Sequence, residues 1–163
     1  IARRLIRFAT EDIGLADNNA LTLAVSVYQA CHFLGMPECN IHLTHAVVYL
    51  SLAPRSNSVY MAYENAKKVL TDPNSKWMQY AYRGPLVIRN ASTGLMKELD
   101  YGKGYVYAHD TKEKIARMEC LPESLKGTRY YIPGEAGEEK KQAERLKEVQ
   151  RFREEGESPV DAG

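Results

Sequence analysis

Two neighbouring stretches without a charged side chain constrain this chain most. Neither Ala20–Pro37 nor Cys39–Pro54 contains Asp, Glu, Lys or Arg, and Glu38 alone separates them. Apolar residues recur on every side, as at Leu21, Leu23, Val25, Val27 and Phe33. Each stretch is shorter than the roughly 20 residues needed to span a bilayer. Gln29, His32, His42 and His45 also lie inside them, so a membrane hairpin is disfavoured. A helix that is apolar all round is otherwise buried in protein. One small domain has difficulty covering two such helices on all faces. At least one face is therefore expected to pack against another subunit or domain. A three-layer bundle within the chain is the alternative.

The rest of the sequence also reads as helix. Residues 3–14 place Leu5, Ile6, Phe8 and Ala9 on one side, with Gly14 as the C-terminal cap. Asp17 is suited to cap a helix from Asn18 to Leu34, which Gly35 ends. Pro37 suits the first turn of a third helix that stops before Pro54. Ser56 or Asn57 caps a fourth, carrying Val59, Tyr60, Ala62, Tyr63, Ala66, Val69 and Leu70 until Asp72-Pro73-Asn74. Ser75–Tyr82 reads as helical and Pro85–Ile88 as extended. Ser92 or Thr93 starts a short helix through Leu99. Between Asp100 and Pro133 the periodicity fades, and Tyr101, Tyr105, Tyr107, Tyr130 and Tyr131 predict an ordered but irregular lobe with rings packed on helices. Gly137–Glu155 is a charge-rich helix with the stripe Ala143, Leu146, Val149 and Phe152. The expected organisation is an all-α helical bundle over residues 1–84, an irregular lobe with its C-terminal helix over 85–155, and a frayed tail over 156–163.

Charge is balanced: 22 basic against 21 acidic residues. That argues against a strongly basic DNA-coating protein and against an acidic disordered chain. The balance conceals an acidic C-terminal end, where residues 134–163 hold 9 acids and 6 bases. Three cysteines without a secretory leader suggest buried thiols in a reducing cytosol. The opening Ile1-Ala2-Arg3-Arg4 has no initiator Met and lies within a helix, which suggests a fragment of a longer protein.

Chemical motifs are sparse. Cys31, Cys39, His42 and His45 are the most metal-like set, but their spacing matches no standard zinc pattern and no carboxylate is near in sequence. Buried histidines with local hydrogen bonds fit better. Gly102-Lys103-Gly104 is followed by Tyr105, so it is not a Walker A loop, and none occurs elsewhere. No Gly-x-Ser-x-Gly motif or Ser-His-Asp arrangement is visible, and Glu11-Asp12 are adjacent rather than on one helix face. No catalytic, cofactor-binding or metal residue is assigned. Lys97, Lys103, Tyr105, Tyr107 and His109 mix cations with aromatics and form the candidate DNA or partner contact. The alternative is packed tyrosines and solvated lysines.

Four blocks carry a resemblance: TEDIGLAD (Thr10–Asp17), AVVYLSLAPRSNS (Ala46–Ser58), LMKELDYGKGY (Leu95–Tyr105) and LPESLKGTRYY (Leu121–Tyr131). Together they resemble the C-terminal region of the RarA/MgsA family, clamp-loader-type AAA+ proteins that include the Werner helicase-interacting ATPase. The resemblance implies a collar-like helical domain that assembles a homotetramer. It also implies an intact DNA-dependent ATPase acting at stalled forks, in DNA replication, recombination and repair. ATP and Mg would bind in a module upstream of Ile1, and this fragment would hold no cofactor and catalyse nothing. Implied partners are further copies of the chain, DNA, and replication or single-strand-binding proteins, with no membrane. The implied location is the nucleoid of the cytoplasm. A DNA- or partner-binding module of the same ATPase is the alternative function.

Overall fold

The computed structural model describes residues 1–74 and 84–155. The helix expected over Ser75–Tyr82 and the tail over 156–163 lie outside the described residues. Those residues form six α-helices and short 3-10 turns, with no strand among them, so the all-α expectation holds. The helices are α1 (Ala2–Phe8), α2 (Asn19–Leu34), α3 (Asn40–Leu52), α4 (Ser58–Thr71), α5 (Gly94–Glu98) and α6 (Glu139–Glu154).

Two compact units are present, and both are discontinuous in sequence. The first comprises residues 1–66 and 129–145, and the second residues 67–128 and 146–163. This division differs from a split near residue 84. The segment 129–145 belongs with the first helices because it hydrogen-bonds to them, a long-range pairing that hydropathy does not report.

In the first unit α1 passes into a π-turn at Ala9–Ile13 and a 3-10 turn at Gly14–Ala16. Gly14 is the stop that the sequence suggests, with φ of 52°. It also permits close packing, since a Cβ there would lie 2.8 Å from the Ser56 carbonyl oxygen. Asp17 does two jobs: Oδ1 accepts from the Asn19 amide at 2.9 Å and Oδ2 from the Tyr49 hydroxyl at 2.7 Å. That phenol is pushed above its ordinary pKa, chiefly by the bond to Asp17 and then by burial. Asn18, not Asp17, thus holds the N-cap position of α2, while the Asp17 carboxylate takes up the first amide of the helix and ties it to α3.

The core is small-sided. Ala9, Ile13, Ala20, Ala24 and Leu50 are buried together, with Leu5, Ile6, Phe8, Tyr49 and Ala53 packed around them. Helix α3 begins later than expected. Pro37 lies ahead of it, in a turn closed by Cys39 N–H to Gly35 O (2.9 Å) and Asn40 N–H to Pro37 O (3.0 Å). Helix α4 starts where the Ser56 hydroxyl accepts from the Ser58 amide at 3.3 Å.

The second unit is mostly turns. Leu86–Ile88 is a 3-10 turn, not the extended segment expected, because Arg89 N–H returns to Leu86 O (3.1 Å) and no neighbouring strand offers a ladder. Thr93 caps α5 by accepting from the Met96 amide at 3.3 Å. Arg89 lies over the Tyr101 ring at 5.2 Å, and Arg117 over the Phe152 ring at 3.9 Å. The Arg153 guanidinium donates to Met118 O at 2.7 Å, so the last turns of α6 are held by residues 117–118.

Candidate assembly surface and tyrosine-rich turns

The side chains of α2 are distributed against the usual order of size. Its buried positions are Ala20, Ala24 and Val27, while Leu21, Val25 and Tyr28 are exposed. Helix α3 buries Ala46 and Leu50 and exposes Ile41, Val47, Val48 and Leu52. The i, i+4, i+7 spacing makes Leu21, Val25 and Tyr28 one stripe, and the same rule aligns Ile41, Val48 and Leu52. Phe33 and Leu52 are about four-fifths exposed, at 80% and 81%. Small residues let helices approach closely, and that leaves the large apolar groups outside. No helix among the described residues is long and apolar enough to cross a membrane.

A second arrangement holds the returning segment in place, and the sequence pattern does not disclose it. Glu139, in the first turn of α6, is fully buried. Its Oε1 accepts from the Ser58 hydroxyl and from the Tyr131 hydroxyl, the latter at 2.7 Å. Its Oε2 faces Ser56 and Gly134, where a Cβ would come within 2.8 Å of that oxygen and 3.0 Å of Ser56 Oγ. Burial alone would raise the carboxyl pKa. The Ser58 and Tyr131 hydroxyls bonded to Oε1, with the Ser56 hydroxyl and the Gly134 backbone facing the carboxylate, outweigh it and hold the group below its ordinary value, although Oε2 itself has no hydrogen-bond partner among the described residues. The Tyr131 phenol is pushed up to about 12, first by burial and then by its bond to Glu139. One step earlier, Glu138 N–H donates to Ala16 O at 2.8 Å, and Glu138 Oε2 accepts from the Asn18 side-chain amide at 2.7 Å. The only sequence hint was Gly137 followed by two glutamates at the head of a helix.

A cavity of about 300 Å³ lies in this unit, lined among others by Ser56, Ser58, Met61, Asn65, Tyr130 and Gly134. Its lining offers hydroxyls and amides, and one of those hydroxyls, that of Ser58, is the donor to Glu139 Oε1.

The candidate contact residues all fall in the second unit. Lys97 and Lys103 are exposed, and Lys103 Nζ pairs with Asp100 Oδ1 at 3.0 Å. Tyr105 and Tyr107 are more than half exposed, at 54% and 53%, so these rings do not pack onto helices as Tyr131 does. The structure brings Tyr107 and His109 together, with ring centroids 5.1 Å apart and planes inclined at 47°. Of the thiols and histidines expected to be buried, Cys39 is, Cys31 and His42 are part-exposed, and Cys120 and His45 are exposed. Among the described residues no three His, Cys, Asp or Glu side chains gather as a metal site requires.

The family described as MgsA AAA+ ATPase C terminal matches residues 1–150. The chain belongs to this family. Among MgsA relatives, the Replication-associated recombination protein A of Coxiella burnetii is 42% identical over 99% of this chain and 36% of its own length. The protein of that name from Escherichia coli K12 is 39% identical over 90% of this chain and 32% of its own length. The ATPase WRNIP1 of Dictyostelium discoideum is 40% identical over 80% of this chain and 14% of its own length. The chain therefore spans about a third or less of these MgsA-type relatives.

Proposed function

We propose that this MgsA-type domain assembles copies of its chain into a homotetramer. In this reading it holds ATPase modules at a fixed spacing on DNA during replication-associated recombination. ATP and Mg chemistry resides elsewhere in the intact protein, which works in the nucleoid. The observation that carries the reading is the apolar outer face of α2 and α3, where Leu21, Val25, Tyr28, Ile41, Val48 and Leu52 are exposed while Ala20, Ala24, Val27, Ala46 and Leu50 are inside. Contiguous apolar patches beyond a few hundred Å² are uncommon on monomers and mark interaction surfaces. Light scattering at micromolar concentration is expected to give about four chain masses. Val25→Asp with Val48→Asp is expected to drop this to one chain with helical circular dichroism retained, because burying two carboxylates at an apolar contact is costly. A mass near 18.4 kDa for the unaltered chain would sink the reading.

A nucleic-acid-binding role is supported by the exposed Tyr105 and Tyr107 beside Lys97 and Lys103. Exposed rings can stack on bases while lysines meet phosphates. Single-stranded or forked DNA is the substrate to test, with replication or single-strand-binding proteins as further partners. If both lysines contact single-stranded phosphates, Lys97→Ala with Lys103→Ala should flatten the slope of log K against log salt by about 1.4. Titrations at several salt concentrations measure this, and an unchanged slope removes both lysines from the contact.

A further inference from the structure

The cavity of the first unit abuts a buried carboxylate. Glu139 is fully buried, and its bonded partners at Oε1 are two neutral hydroxyls, those of Ser58 and Tyr131. Its Oε2 has no hydrogen-bond partner among the described residues. That oxygen stands against the cavity wall. A Cβ on Gly134 would lie 2.8 Å from it and 3.0 Å from Ser56 Oγ, and both residues line the cavity. The described residues of the lining are all uncharged. They are also rich in acceptors. The Ser58 hydroxyl gives its hydrogen to Glu139, so its lone pairs remain to accept. Asn57 and Asn65 bring side-chain carbonyl oxygens, and the Met61 thioether is a weak acceptor. Met61 and Ile132 are exposed, which puts an apolar wall within reach of solvent.

We propose that this cavity binds an alkylammonium group, its cationic head against Ser56, Ser58 and Asn65 and its aliphatic stem against Met61, Tyr130 and Ile132. A primary ammonium has three donors and no acceptor, which complements this lining. Attraction to Glu139 acts through a protein wall, where a charge is screened less than in water. Burial opposes ionisation of that carboxyl, but its hydrogen bonds prevail and hold its pKa below the ordinary value, so the charge is present at neutral pH. An anion would be repelled by the same carboxylate, and a bare metal ion would leave the apolar wall uncovered. The volume, about 300 Å³, is at the small end for ligand pockets and suits a side chain or small amine. A lysine side chain of a partner polypeptide and a free polyamine share this head and stem.

Titration of the unaltered chain with n-butylammonium chloride at low salt, followed by amide NMR, tests the site. Saturable shifts are expected at Asn57, Ser58 and Gly134, with a dissociation constant on the order of 10 mM. 1-Butanol, neutral and of the same length, should bind at least about tenfold more weakly. Glu139→Gln should weaken n-butylammonium binding by a similar factor with helical circular dichroism retained. Should that variant unfold, Asn65→Leu takes its place, since it removes an acceptor and leaves the carboxylate alone; a loss of about fivefold is expected. Nα-acetyl-lysine methylamide and 1,5-diaminopentane distinguish the sources: tighter binding of the first assigns the site to a polypeptide, of the second to a polyamine. The proposal is overturned if n-butylammonium gives no saturable shift at these amides, or if 1-butanol binds as well. It is equally overturned if the folded variant binds n-butylammonium as tightly as the unaltered chain.

Discussion

Gly137→Ala is expected to destabilise the domain by about 4 kcal/mol, combining backbone strain with overpacking. Gly137 sits at φ 53°, and a Cβ there would fall 2.1 Å from the Ala16 carbonyl oxygen and 2.7 Å from Pro54 Cγ. Neither neighbour can swing aside. The Ala16 carbonyl accepts from Glu138 N–H at 2.8 Å, and Pro54 closes the end of the α3 segment. The clash must therefore displace backbone and pull residues 137–139 away from Ala16 and Asn18. Gly127→Ala separates the two causes. Gly127 also has a positive φ, 76°, but a Cβ there would meet nothing within 4 Å. Its cost should be only the left-handed strain, about 1–2 kcal/mol. Urea midpoints of the two variants measure the difference, and equal losses would remove the steric explanation.

The second large effect belongs to Glu139→Ala, with an expected loss of about 3–5 kcal/mol, the range for stripping a buried charged group from its partners. The substitution leaves the Ser58 and Tyr131 hydroxyls buried without their shared acceptor and opens a void at the head of α6. Glu139→Gln should cost less, because an amide oxygen can still accept from both hydroxyls. It should also change the acid response. The native carboxyl pKa is depressed, so its contribution is fully present above the unfolded-state value and is lost as pH falls through the folded-state value. Unaltered protein should therefore lose more stability on acidification than Glu139→Gln. Urea unfolding at neutral and acidic pH tests this, and parallel curves would show that folding does not shift the Glu139 pKa. The Tyr131 phenol acts at the other end of the scale. Its folded pKa of about 12 means that its share of stability persists below the unfolded value and fades as pH rises toward 12.

Local signals in the sequence were informative wherever a single turn or a single helix decided the outcome. Gly14 stops the first helical stretch, Asp17 accepts from the first amide of α2, Gly35 ends that helix and Thr93 caps α5, each through atoms a few residues apart. Charge-free composition likewise marked α2 and α3 as helices needing cover. Hydropathy could not distinguish which apolar residues are buried, because both faces are apolar. Only packing assigns Ala20, Ala24 and Ala46 inward and Val25, Val48 and Leu52 outward. The extended reading of Pro85–Ile88 failed for a related reason: β-branched residues favour a strand only when another strand supplies a ladder.

By itself, then, the sequence determined an all-α chain, the places where most of its helices begin and end, and, through four motif blocks, its membership of the MgsA family. Tertiary structure decided the return of residues 129–145 to the first unit and the burial of Glu139 among hydroxyls from distant turns. The physical reason is range. Caps and periodicity are settled within a few residues, whereas a carboxylate and a glycine without room for a Cβ acquire their meaning only from what the folded chain places against them.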